Sequence, residues 1–121
     1  MANANIDIDG VDTERGIRSA FSDEAFYKEL LGIFLESHGG AAAEIEAALA
    51  AGRRDNAIHL VHTIRSEAGI VGAEELQRRA TICEAALREG HGEDLQTALE
   101  DFKAALERIL KSIAAFLDLG R

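Results

Sequence analysis

A histidine in the middle of a predicted helix has neighbours that suit nucleophilic chemistry at a side-chain nitrogen. His62 is followed by Arg65 three residues on, and by Ser66 and Gly69 four and seven residues on. At about 100° per residue, Ser66 and Gly69 fall within about 40° of His62 on the helix wheel, and Arg65 lies about 60° to one side. The spacing therefore predicts an imidazole with a cation beside it and little bulk around it.

Such a histidine could carry a phosphoryl group. A neutral imidazole is nucleophilic, and the ordinary histidine pKa near 6.5 leaves most imidazoles neutral at pH 7. It can attack an acyl phosphate and hold the phosphoryl group on nitrogen. The guanidinium of Arg65 can bind phosphate oxygens through two N–H groups. The alternative is an exposed helical histidine with no role, which is the ordinary expectation for a lone histidine.

The apolar positions of this helix predict which face is exposed. They cluster on an arc centred about 150° from His62. These positions are Ala57, Leu60, Val61, Ile64, Ala68 and Val71. His59, Ile58 and Ile70 lie within about 80° of His62, so they can line the exposed surface around it. We therefore expect His62 to be accessible to another protein.

Composition and charge exclude several classes of function. The chain has 121 residues, which fits one domain, and a formal net charge of −9. That charge argues against nucleic-acid and anionic-membrane partners, because both need a basic face. No apolar run is long enough for a membrane span, and no secretory signal is visible. The single cysteine, Cys83, excludes an internal disulfide and fits the cytoplasm.

Turn and cap residues divide the N-terminal half. We expect residues 1–11 to be a flexible lead, followed by a short helix that Asp12 or Thr13 caps and that runs through Ala20. Ser22 is a predicted N-cap for a helical stretch that keeps its phase as far as Gly52. The pair at 39–40, two glycines, either kinks this stretch or divides it into two helices.

Three further helices complete the predicted fold. Asp55 is expected to cap the helix of His62, which ends within residues 70–72, and residues 73–89 form the next helix. The last helix has apolar residues alternately four and three positions apart and is expected to end at Gly120. Together these elements predict an all-α fold for residues 12–121, an antiparallel up-down four-helix bundle with a short extra N-terminal helix.

The sequence around His62 resembles the signature of histidine phosphotransfer (HPt) domains. Val61-His62-Thr63-Ile64-Arg65 matches its first part, and Ala68, Gly72 and Ala73 match the rest. Residues 8–12 and 23–31 are similar to the lead into that family's first bundle helix. Residues 73–76 and 84–86 fit its next helix. The resemblance covers nearly the whole chain.

This resemblance implies a phosphoryl carrier of a two-component phosphorelay. His62 would take the phosphoryl group from one receiver-domain aspartate and pass it to another, with Arg65 stabilising the phosphate. The implied partners are receiver domains of response regulators or hybrid kinases, which would dock on Ile58, His59, Ser66, Gly69 and Ile70. The chain itself would bind no cofactor, and Mg²⁺ is expected on the partner receiver. A monomer is expected, either free-standing or as a module of a larger kinase.

Two residues depart from the family pattern. Arg65 stands where the family usually has lysine, and Ser66 stands where it usually has glycine. The hydroxymethyl group of Ser66 would either crowd a docking receiver or donate a hydrogen bond to the phosphoryl group. A second hypothesis is therefore a non-catalytic bundle that docks a receiver or kinase without accepting phosphate. A third is a structural bundle in which His62 has no role.

The remaining candidate residues point to structural roles. No histidine has a glutamate three residues before it, as di-iron bundles require, so no metal site is predicted. His38 and His91 are expected to be surface or capping residues near helix ends. Cys83 lies on an apolar stripe and is expected to be buried. Glu84 is expected to lie on a solvated face.

Overall fold

The computed structural model describes residues 6–90 and 92–119. This part of the chain contains six α-helices and no strand, which confirms the predicted all-α class. In chain order the helices are α1 (Thr13–Ser19), α2 (Glu24–His38), α3 (Ala41–Ala50), α4 (Arg54–Val71), α5 (Glu74–Glu89) and α6 (Gly92–Leu119). The positions predicted for His91 and for the helix end at Gly120 lie outside the described residues.

The glycine pair divides the first long stretch into two helices. Gly39 has right-handed helical angles, with φ −59° and ψ −29°, whereas Gly40 departs from them with φ −107° and ψ 11°. Helices α2 and α3 both pack against α4. The chain therefore bends at the glycines without reversing, and α2 with α3 forms one bent arm of the bundle.

The bent arm, α4, α5 and α6 form a helical bundle in which α4 and α5 run antiparallel. Between α4 and α5, His62 contacts Glu84 near the middle of both helices, while Gly69 faces Gln77 close to the connecting turn. The turn at the end of α4 is closed by Gly72, whose φ of +89° belongs to the left-handed region that favours glycine. Helix α6 packs against α5 and α2.

The core contains the side chains that the helical periodicity points inward. The largest of them are fully buried: Tyr27, Phe34, Phe102, Ile17, Leu31, Ile45, Ile64, Leu76, Leu87, Leu106, Ile109 and Ile113. Tyr27 also donates a hydrogen bond from its hydroxyl to the carbonyl oxygen of Val71, at 2.8 Å. Each large apolar side chain removed from water contributes roughly 1.5–3 kcal/mol. Ile64 is the member of this set on α4, and its burial leaves the opposite face of α4 exposed to solvent.

Part of the predicted N-terminal lead packs against the bundle. Ile6 and Ile8 are buried, and the carboxylate of Asp9 accepts two hydrogen bonds from Arg108 on α6, at 2.9 and 3.0 Å. Residues 6–11 therefore lie against the bundle, because two isoleucines have apolar surface to bury. Residues 1–5 lie outside the described part of the chain.

Two predicted N-caps are wrong. Asp23 caps α2 by accepting a hydrogen bond from the backbone N–H of Phe26, at 3.1 Å, and Ser22 precedes it with a φ of +59°. The N-cap position of α4 is Arg53, which makes no side-chain capping bond, and Asp55 lies within the first turn. There its negative charge still favours the N-terminal end of the helix dipole.

A membrane crossing would need a long apolar helix, and the part of the chain that the structure describes contains none.

Candidate functional site

His62 lies on the outer face of α4. The buried residues of this helix are Ala57, Val61, Ile64, Ala68 and Val71, all on the opposite side. The side chain of His62 is 46% exposed. The helix wheel therefore predicts the orientation of His62 correctly, and a partner has access to the ring.

Glu84 on α5 holds the ring of His62 and two arginines. Both of its carboxylate oxygens lie 3.2 Å from Nδ1 of His62. Arg65 Nη1 lies 3.2 Å from Oε1, and Arg88 Nη2 lies 2.9 Å from Oε2. The Glu84 side chain is only 8% exposed. One buried carboxylate thus connects α4 and α5 at the histidine.

The prediction that Glu84 is solvated is wrong. On α5 it lies within about 80° of the buried Leu76, Ala80 and Leu87 on the helix wheel. A carboxylate at the edge of an apolar stripe needs partners when its neighbours pack, and His62, Arg65 and Arg88 supply them. That position on the wheel is the signal that could have identified Glu84.

The surroundings of Glu84 keep its carboxylate ionised. Burial alone would raise the pKa of Glu84, but hydrogen bonds from Arg88 and His62 and the charge of Arg65 outweigh that effect. The net result is a pKa below the usual value. Because an ionised carboxylate only accepts hydrogen bonds, we assign the proton of a neutral His62 to Nδ1. The lone pair on Nε2 is then free for attack.

The predicted docking residues differ in exposure. Ser66 and His59 are exposed, Ile70 is 45% exposed, and Ile58 is half-buried against the core. Gly69 is half-buried because Gln77 covers it: a Cβ there would lie 2.4 Å from Nε2 of Gln77. Gly69 thus makes room for a side chain of α5, whereas the other four lie along the open side of α4.

An apolar groove of about 240 Å³ continues this surface onto α2. Its lining includes Leu30, Ile33 and Ile70, and Ile33 is 56% exposed. Sequence analysis missed Ile33, which faces away from the buried side of its own helix. The surface around His62 is therefore flanked by charged groups of α5 and by apolar groups of α2.

His38 is buried, contrary to the prediction of a surface or capping position. It is 7% exposed, its Nε2 lies 2.6 Å from Oε1 of Glu67, and its ring packs edge-on against Phe34. The contact joins the end of α2 to α4. The contact holds the Glu67 carboxylate against the end of α2.

The described residues show no second reactive centre. Cys83 is fully buried, and burial raises the pKa of its thiol to about 12, so that it remains a protonated core residue. No group of three or more His, Cys, Asp or Glu side chains in the described ranges is arranged to hold a metal ion.

Comparisons with known proteins give one family match. The model of a family described as "Hpt domain" matches residues 29–112, which is more than half of the chain. The matched range includes His62, Arg65, Glu84 and Arg88. No curated protein matches the chain.

Proposed function

The chain belongs to the Hpt domain family, whose function is histidine phosphotransfer in two-component signalling, and from this premise we propose that His62 carries the phosphoryl group. In the proposed relay, the group arrives from an aspartyl phosphate of one receiver domain and leaves to the aspartate of another. The observation that carries the proposal is the contact between Glu84 and Nδ1 of His62, which directs Nε2 to the open side of α4.

The proposed transfer forms and breaks one bond to phosphorus in each direction. The Nε2 lone pair attacks the phosphorus, the bond to the aspartate oxygen breaks, and the carboxylate leaves with the electron pair. The phosphorylated ring keeps its Nδ1 proton and gains positive charge, which the ionised Glu84 stabilises. In the return step a receiver carboxylate attacks phosphorus and the bond to Nε2 breaks.

Arg65 would bind the transferred phosphoryl group, and Ser66 would belong to the docking surface beside it. Arg65 already lies beside His62 through their common partner Glu84, so its guanidinium can reach the phosphate oxygens. Ser66, one helical turn from His62, would lie under the docking loop of the receiver. Phosphoryl transfer depends mainly on positioning and charge neutralisation, and Mg²⁺ held by the receiver would add to that neutralisation.

The receiver would dock on the open side of α4. His59, Ser66 and Ile70 are exposed there, with Ile58 at its edge, and the groove beside Ile33 extends the apolar contact. We propose that the chain acts as a monomeric carrier in the cytoplasm and depends on its partners for catalysis. Its partners would be response-regulator or hybrid-kinase receivers.

Phosphate uptake tests the proposal directly. The protein is mixed with receiver domains that have been phosphorylated by acetyl phosphate in the presence of Mg²⁺, and its intact mass is then measured. We expect one acid-labile phosphoryl group on the parent and on His59→Gln, and none on His62→Gln. Uptake by His62→Gln, with the label mapped to another histidine, would contradict the assignment.

A docking module that accepts no phosphate is the second candidate, and the exposed Ser66 favours it. This residue places a side chain where the family usually has glycine, on the surface that a receiver must cover. The same experiment separates the two functions. A stable complex with the phosphorylated receiver and no gain in mass would support docking alone.

A further inference from the structure

A second groove lies on the side of the bundle that faces away from His62. Helices α5 and α6 border it, and its volume is about 490 Å³. Ile82 is 47% exposed at this groove, and Ala85, Ala86 and Ala98 line it with small apolar side chains. The exposed isoleucine and the alanines that line the groove offer apolar surface to a partner.

The groove and the histidine belong to separate faces. Ile82 and Glu84 are two positions apart on α5, which is about 200° of rotation. Because Glu84 contacts His62, Ile82 projects away from the α4 side of α5. A partner in this groove would leave the receiver-docking surface open.

The rim of the groove carries only negative charge among its lining residues. Glu89, Asp94 and Asp101 line it, together with Thr97, and no lysine or arginine does. Arg79 approaches Asp101 at 3.7 Å from one end, and no ion pair of Glu89 or Asp94 is found among the described residues. A complementary partner would therefore bring cations around an apolar centre.

We propose that this groove binds a short basic amphipathic helix of another protein. The borders Ile82–Glu89 and Asp94–Asp101 each contain eight residues and rise about 10 Å along the helix, which fits two helical turns of a partner. Leucine-like side chains spaced three and four apart would contact Ile82 and the alanines, and flanking lysines or arginines would pair with the carboxylates. A second copy of this chain has a net charge of −9 and fits the acidic rim poorly.

Binding of a synthetic peptide tests the proposal. The probe is a fluorescein-labelled amphipathic helix of leucine and lysine, compared with a scrambled peptide of the same composition by fluorescence anisotropy. We expect Ile82→Glu, and Glu89→Gln combined with Asp94→Asn, each to weaken binding about tenfold. Circular dichroism checks that each variant remains folded.

Matched variants on other faces separate a specific groove from general attraction to an acidic protein. Ile33→Glu controls for the apolar change, and Glu36→Gln combined with Glu107→Gln controls for the lost charges. Both should change affinity less than twofold. Equal losses in groove and control variants, or equal binding of the scrambled peptide, would overturn the proposal.

Two further measurements test where the peptide binds and whether a second copy of the chain occupies the groove instead. Saturating peptide should leave the rate of phosphate uptake by the protein unchanged, whereas inhibition would place the peptide on the receiver-docking surface and overturn the assignment. Sedimentation should show that the parent protein does not self-associate through Ile82, so that the parent and Ile82→Glu sediment alike. A dimer abolished by that substitution would replace the basic helix with a second copy.

Discussion

At the scale of single residues, Glu84 determines which nitrogen of His62 is available. We predict that Glu84→Gln leaves the bundle folded but slows phosphate uptake, because the amide no longer stabilises a positively charged ring. Loss of the charged hydrogen bonds should lower the free energy of unfolding by roughly 1–3 kcal/mol. Transfer time courses and urea denaturation measure both effects, with Glu107→Gln as the exposed control. Transfer at the parental rate would remove Glu84 from the mechanism.

The same pair of proteins should show a defined pH dependence. The pKa of Glu84 in the folded protein lies below its usual value of 4.5, so the ionised side chain stabilises the fold at higher pH. That stabilisation is lost as the pH falls through the folded-state pKa. The difference in unfolding free energy between parent and Glu84→Gln should therefore shrink as the pH falls below about 4.5.

Arg65 should act mainly on the phosphorylated state. Charge-assisted hydrogen bonds to phosphate contribute about 1.5–3 kcal/mol when well formed and less when solvated. We predict that Arg65→Ala slows transfer and shortens the lifetime of phosphohistidine, with helicity unchanged. Arg78→Ala, which changes an exposed arginine paired with Glu75, is the control. Equal lifetimes in the parent and Arg65→Ala would contradict the role.

Ser66 tests the placement of the docking surface. If the hydroxymethyl group only obstructs, Ser66→Gly should speed transfer while costing about 0.5–1 kcal/mol of helix stability. Ser66→Leu should obstruct docking without unfolding the bundle, because the position is exposed. Ala115→Leu on α6 is the control for an added exposed leucine. Slower transfer by Ser66→Gly would instead indicate that the hydroxyl binds phosphate.

At the scale of elements, close helix contacts depend on one small residue of α1. A Cβ on Gly16 would lie 2.4 Å from the carbonyl oxygen of Val71 and 2.5 Å from the ring of Tyr27. We predict that Gly16→Ala destabilises the protein by about 1–3 kcal/mol, because backbone must move. Gly32→Ala in α2 meets no atom within 4 Å and should stabilise by about 0.5–1 kcal/mol. Thermal denaturation compares them, and equal melting temperatures would contradict the packing.

The helices were predictable from the sequence, and their boundaries were less so. Apolar periodicity predicts each long helix because the residues that pack against neighbouring helices recur at the spacing of the helical repeat. The cap of α2 was misplaced by one residue, since Ser22 and Asp23 are both good acceptors and only the backbone angles distinguish them. The division at residues 39–40 was an open choice because two glycines permit either a kink or a break.

At the scale of the whole molecule, the errors concern contacts between distant parts of the chain. The exposure of His62 follows from its own helix, whereas Glu84 is buried by partners on α4 and His38 by its contact with Glu67, 29 residues away. The sequence pattern within one helix does not show which side chains of other helices will contact a residue in the folded protein. The packing of Ile6 and Ile8 was missed for the same reason, because their surroundings are polar in sequence and apolar only in the fold.

The ordered N-terminal segment makes a prediction about global stability. Ile8 is 3% exposed, so Ile8→Ala should lower the free energy of unfolding by about 2–4 kcal/mol through lost burial and a cavity. Ile82→Ala removes the same atoms from an exposed site and should change it by less than about 0.5 kcal/mol. Equal effects in urea denaturation would show that residues 6–11 contribute nothing to the core.

The contact between His62 and Glu84 joins residues only 22 positions apart, across a single helical hairpin. The contact between Asp9 and Arg108 joins residues 99 positions apart. The entropic free energy of closing the shorter loop is about 1.3 kcal/mol smaller than that of closing the longer loop. The geometry around His62 therefore depends on two helices that are neighbours in sequence, α4 and α5, and we expect it to persist when the N-terminal segment frays from α6.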